Sequence, residues 1–313
     1  FREPLPPPGF VGAYPYWTRY ATRVAGLFES LVGSYLATGD RRYAERIKEY
    51  LLALAGWTSW NEFPGELSLS ICHFTFGYTL GYDAIHDTLD EPQRTSIREG
   101  LVRLGSDPIL KAGLGLVDHN ITGMRHFAAG LAGLALLGEH PRAEACIELG
   151  RRYSLWYLDL RTNTQDTEGL GYTDYVMGNI ARLAVALQRV TGDRSLLDHP
   201  YLRREYPEWL LYSLVPKRNG MLPFGDNHGA VVGKRAMGLA ADLHTNAYAA
   251  WYLAQAGLDR GHMFADRLLA EPRQVVSPPP DFPPDRSFER LGQVILRQGW
   301  KDSAALVAFV CSG

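Results

Sequence analysis

A mainly helical protein, with antiparallel helix pairs followed by the beginning of a β domain, is what this 313-residue sequence predicts. Three observations lead there. Apolar residues recur at helical spacing over most of the chain. Glycine–aspartate punctuation cuts that pattern into units of helix length. A proline-dense stretch, 271–286, then separates it from two short apolar runs of β character.

The helical spacing is visible in Val24, Leu27, Phe28, Leu31 and Tyr35, which share one face. Ala44, Ile47, Leu51 and Leu54 share another, as do Ile180, Leu183, Ala184 and Leu187. "ATGD" at 37–40 and "VTGD" at 190–193 each offer a glycine to end one helix and an aspartate to cap the next. "LLGEHPRAE" at 136–144 does the same, with Pro141 suited to a first turn. About ten helices are expected between Tyr16 and Ala270. Short loops between antiparallel pairs suit a toroid or a solenoid; the lack of a strict repeat argues against the solenoid. "GQVILRQGW" (292–300) and "SAALVAFVCSG" (303–313) read as strands on either side of a turn at Lys301 and Asp302. The expected organisation is a helical domain over 1–270, a linker over 271–286, and the start of a β domain over 287–313. Two strands do not make a stable sheet, so the chain is expected to be a fragment of a longer polypeptide.

Composition narrows the function classes. A formal net charge of −2 gives no overall attraction to nucleic acid or anionic membrane. The longest near-apolar run, 127–138, is too short to span a bilayer. Cys72, Cys146 and Cys311 match no zinc or redox spacing.

Four stretches carry groups capable of chemistry. "VDHNITGMRHF" gathers Asp118, His119, Asn120, Arg125 and His126 ahead of a small-residue helix. Asn120 suits a helix cap, and the same helix mouth suits an anion such as a carboxylate or sulfate. "QDTEGLGYTDY" (165–175) holds Asp166, Glu168, Tyr172 and Tyr175. It reads either as a capped helix entrance or as a site where Tyr172 moves a proton. The second requires nearby positive charge to draw down the phenol. "LPFGDNHG" (222–229) presents Asp226 and His228, as a surface turn or as a substrate-facing loop. Tyr16 and Trp17, with Trp60 and His73 further on, serve either as packed aromatic wedges or as platforms for the apolar face of a sugar.

Taken in order, these stretches resemble the heparinase II/III-like polysaccharide lyases, in the branch that includes dermatan sulfate epimerase. "NITGMRHFAAGLAGLALLGE" resembles the family's asparagine-led helix. "DTEGLGYTDY" resembles the signature that carries its catalytic tyrosine. "LLDHPYL", "PFGDN", "PPPDF" and "GQVILRQGW" resemble later landmarks. The resemblance implies an incomplete (α/α) toroid followed by the start of an antiparallel β-sandwich. It implies β-elimination from a uronic-acid polysaccharide, such as a glycosaminoglycan or alginate. Asn120 would bind the uronate carboxylate and Tyr172 would act as base, acid or both. The position after the asparagine, histidine in some members, is Ile121 here, with His119 and His126 close by. Arg125, Glu168, Tyr175, Asp226, His228, Tyr16, Trp17, Trp60 and His73 are the expected substrate contacts. The resemblance implies no catalytic cofactor or metal, a structural zinc or calcium belonging, where present, to the β domain. It implies a secreted or periplasmic protein and an acidic polysaccharide as partner. The family's β-domain histidine segment would fall beyond Gly313.

Three other activities use the same residues. A uronyl C5-epimerase begins with the same proton abstraction. A toroid glycoside hydrolase would pair Asp166 or Glu168 with Asp226. A non-catalytic scaffold would bind acidic glycans without turnover.

Overall fold

A computed structural model describes residues 15–62, 67–163, 168–216, 220–225, 229, 232–244, 246–256 and 283–311. The larger part of the expected proline linker, with Asp166, Asp226 and His228, lies outside the described residues. The protein is mainly helical, with a small antiparallel sheet near its C-terminal end. Contacts cluster into two compact units. One contains the described parts of Phe1–Val117 and Ile121–Ser154; the other contains those of Asp118–Asn120, Leu155–His262 and Ala270–Gly313.

In the first unit, α1 (Tyr16–Thr38) ends at Gly39, whose φ of 66° lets its N–H reach the Tyr35 carbonyl. Asp40 then accepts from the Arg42 N–H and starts α2 (Arg41–Ala55), as the sequence predicts. α3 (Leu69–Ile85) is apolar on nearly every side and forms the centre of this unit. α4 (Glu91–Leu101) opens on a reciprocal Asp90–Gln93 capping box. α1 and α2 run antiparallel, and α1 and α3 run parallel. Phe28 of α1 meets Tyr50 of α2 across the hairpin, while Trp17 and Phe28 meet Phe74 and Gly81 of α3 in rising order.

α4 continues through a π-helical turn, Val102–Ser106, into α5 (Asp107–Ala112). In a regular helix the ring of Pro108 would collide with the carbonyl four residues back. Widening the turn, so that the Asp107 N–H reaches Val102, accommodates the ring. The same device recurs in the second unit, where the π turn Tyr201–Glu205 precedes Pro207 in α9 (Tyr206–Ser213).

α6 (Asn120–Ala135) and α7 (Ala143–Asn163) approach closely because glycine lines their contact. A Cβ on Gly150 would stand 2.7 Å from the Gly130 Cα, and one on Gly133 would stand 2.6 Å from the Ala143 carbonyl oxygen. The turn between them places Pro141 just ahead of α7 rather than within its first turn.

The second unit contains α8 (Leu170–Thr191), α9, α10 (Lys234–Leu243) and α11 (Ala247–Gln255). α8 ends at Gly192 as predicted, but Asp193 caps a turn at Ser195 rather than another helix. Strands β1 (Arg286–Phe288), β2 (Gln293–Arg297) and β3 (Leu306–Val310) form an antiparallel meander in which Val294 faces Phe309. The two predicted runs are β2 and β3, and β1 adds a third strand. The sheet is anchored to α9. The Trp209 indole N–H donates to Gln293 Oε1 at 2.8 Å, and the buried Arg297 guanidinium donates to the Tyr212 and Leu214 carbonyls. These strands therefore pack against the helices of their unit.

Close packing at Gly150 has a measurable consequence. Gly150→Val should lower stability by about 1–3 kcal/mol in urea denaturation, since backbone, not a flexible side chain, occupies the space. Gly26→Ala in α1, where nothing lies within 4 Å, should raise it by about 0.5–1 kcal/mol.

Candidate functional site

The site begins with a buried cation near the end of α7. Arg161 is 2% exposed and lies over the ring of Tyr157, one turn earlier, at 4.7 Å from its centroid. A guanidinium out of water is costly unless paired and hydrogen-bonded. Asp118 supplies the pairing through a direct hydrogen bond from the Arg161 guanidinium. That pair fixes the residues just before α6. Two positions on, the Asn120 amide donates through Nδ2 to Glu168 Oε1 at 2.9 Å, and His119 Nε2 stands 4.0 Å from the same oxygen.

Glu168 leads directly into α8. Gly169, at φ 86°, turns the chain, and its backbone lies against Gly225 so tightly that a Cβ on Gly225 would be 2.5 Å from the Gly169 Cα. The Leu170 N–H donates to the Phe224 carbonyl. Tyr172 follows in the first turn of α8 and is 39% exposed. Three stretches distant in sequence, 118–120, 168–172 and 224–225, thus meet within one unit. They offer an amide, a half-open imidazole, a carboxylate and a phenol. Asp118 is neutralised by Arg161, so the Glu168 charge is met by the Asn120 amide and, when protonated, by His119. Tyr175 is partly buried on the same helix.

The remaining predicted residues lie in the first unit, and four of them are corrections. Trp17 and Trp60 are fully buried. Trp17 stacks on Trp57 at 5.3 Å, and Trp60 packs on Tyr78 while donating to the Leu54 carbonyl. They are core wedges rather than a sugar platform. His126 is sealed from solvent, stacked on Tyr153 at 4.3 Å, with Nδ1 2.7 Å from the Thr122 carbonyl. It acts as a packing residue, not a catalytic one. His73 is likewise buried within α3. Tyr16 is exposed at the start of α1, and Arg125 lies against Gly115. Arg161 was absent from the sequence-based site; its only local signal is Tyr157 four residues earlier. Among the described residues, no three His, Cys, Asp or Glu side chains are grouped as metal ligands, and no helix is long and apolar enough to cross a membrane.

No protein-family model matches the chain, and no curated protein matches it in sequence.

The two buried histidines set a pH dependence. Burial draws the imidazoles of His73 and His126 down to about 4, the Thr122 carbonyl partly opposing this at His126. The unfolded chain binds protons at these positions from about pH 6.5 downward, whereas the folded protein resists until about pH 4. Stability from both is therefore complete above pH 6.5 and declines as pH falls toward 4, by on the order of 3 kcal/mol per histidine at most. Urea midpoints measured from pH 7 to pH 4 should fall, and His126→Leu should flatten that slope.

Proposed function

We propose that the chain is a polysaccharide lyase of the heparinase II/III-like type, acting on a uronic-acid polysaccharide. On this reading its helices belong to an incomplete (α/α) toroid, its strands begin a β-sandwich, and the protein is exported to meet its polymer. The observation that carries the proposal is the Asn120–Glu168 hydrogen bond, which joins the asparagine-led helix to the tyrosine-bearing segment. The exposed Tyr172 four residues beyond Glu168 adds to it, as does the alternating direction of α1, α2 and α3.

The chemistry requires such a pairing. The C5 proton of a uronate is weakly acidic because the adjacent carboxylate already carries charge, and removing it develops more. Fixed donors at that carboxylate lower the barrier. The Asn120 amide has a second N–H beyond the one given to Glu168, and that hydrogen serves the substrate carboxylate. Glu168 holds the amide in place before substrate arrives. Tyr172, as phenolate, takes the C5 proton; the C4–O bond breaks as the C4–C5 double bond forms, and the phenol returns the proton to the departing oxygen.

The test is a panel of uronate polysaccharides incubated with the protein, read by ultraviolet absorbance of the unsaturated uronide. At least one should yield product, and Tyr172→Phe should reduce the rate by about 10²–10⁴-fold. An active protein whose rate survives Tyr172→Phe, or a panel with no absorbing product, refutes the proposal. C5 deuterium exchange without absorbance would identify an epimerase instead.

A further inference from the structure

An open concavity lies in the same unit, built from a different part of the chain. Its volume is about 430 Å³, and Asp198, Arg203, Arg204, His244, Asn246 and Tyr248 are among its lining residues. From these groups we propose a binding site for a tetrahedral oxyanion, the sulfate or phosphate group of a ligand.

The charge balance favours an anion. Arg194 grips both Asp198 oxygens at 2.8 Å, so that carboxylate is already neutralised. Arg203 and Arg204 both line the cavity and are both exposed, and no described carboxylate stands within ion-pair distance of either. Two adjacent guanidiniums in one concavity match the oxygens of sulfate or phosphate with forked donors. His244 Nε2 is shielded from water and has no hydrogen-bond partner among the described residues.

Two sides of the concavity are tied together near Pro207. Pro207 has no N–H for the carbonyl four residues earlier, that of Arg203. Asn246 supplies the missing donor, its Nδ2 reaching the Arg203 carbonyl at 3.0 Å. Its Oδ1 caps α11 by accepting from the Tyr248 and Ala249 N–H groups. One side chain therefore joins the arginine-bearing turn to the start of α11 and faces the two walls toward each other.

Calorimetric titration with sodium sulfate, against sodium chloride at equal ionic strength, tests the site on the intact chain. Saturable sulfate binding is expected, with an upward shift of the His244 titration followed by NMR. Arg203→Ala/Arg204→Ala, at exposed positions, should keep the circular dichroism spectrum and weaken binding at least about tenfold. No saturable binding, or equal binding by the double variant, overturns the proposal. Competition by chondroitin sulfate but not by desulfated chondroitin would assign the site to a sulfate ester; competition by neither would assign it to the free ion, and either result upholds it. Sulfate binding is read without turnover, so it stands or falls separately from the lyase reading.

Discussion

One desolvated cation organises the candidate site. Arg161 is buried, and a guanidinium removed from water must find a compensating charge and acceptors. Asp118 meets that demand. The consequence extends two residues further, because Asn120 cannot wander once Asp118 is fixed. Its amide then stands where Glu168 can accept from it, and Glu168 in turn opens α8 with Tyr172 in the first turn. The Arg161–Asp118 pair is thus best understood as a positioning device. Its own net contribution to stability is small, since desolvation offsets most of the attraction.

Glycine and proline do the complementary work on the backbone. Gly169 and Gly225 touch where any Cβ would separate them, which brings the 222–225 segment to the entrance of α8. Gly130, Gly133 and Gly150 let α6 and α7 approach within backbone contact. Pro108 and Pro207 each follow a π turn that makes room for the ring, and the second leaves a carbonyl that Asn246 serves. Pro207, which would weaken an isolated helix, is tolerated because Asn246 completes the hydrogen bonding of the Arg203 carbonyl. The sheet follows the same logic. Three short strands are secured by the Gln293 and Arg297 side chains, whose partners are an indole N–H and the final carbonyls of α9.

Much of the fold was legible because its signals are local. Gly39 and Asp40 end one helix and begin the next through their own backbone and side-chain atoms. The β character of 293–297 and 306–310 follows from branched and aromatic residues beside a polar turn. The site was legible in part. Asn120, Glu168 and Tyr172 were each identifiable as residue types suited to the proposed chemistry, but Arg161 was not. A lone arginine near a helix end usually faces solvent, and only burial makes it consequential.

The aromatic residues mark the limit most clearly. Trp17 and Trp60 have the composition of a sugar platform, yet both are covered by other rings. His126 has the composition of a catalytic base, yet Tyr153 stacks over it. The sequence by itself determined where helices and strands form, because periodicity and capping act over a few neighbouring residues. Only the tertiary structure decided which polar and aromatic groups lose water and which keep it, because desolvation depends on segments far away in the chain.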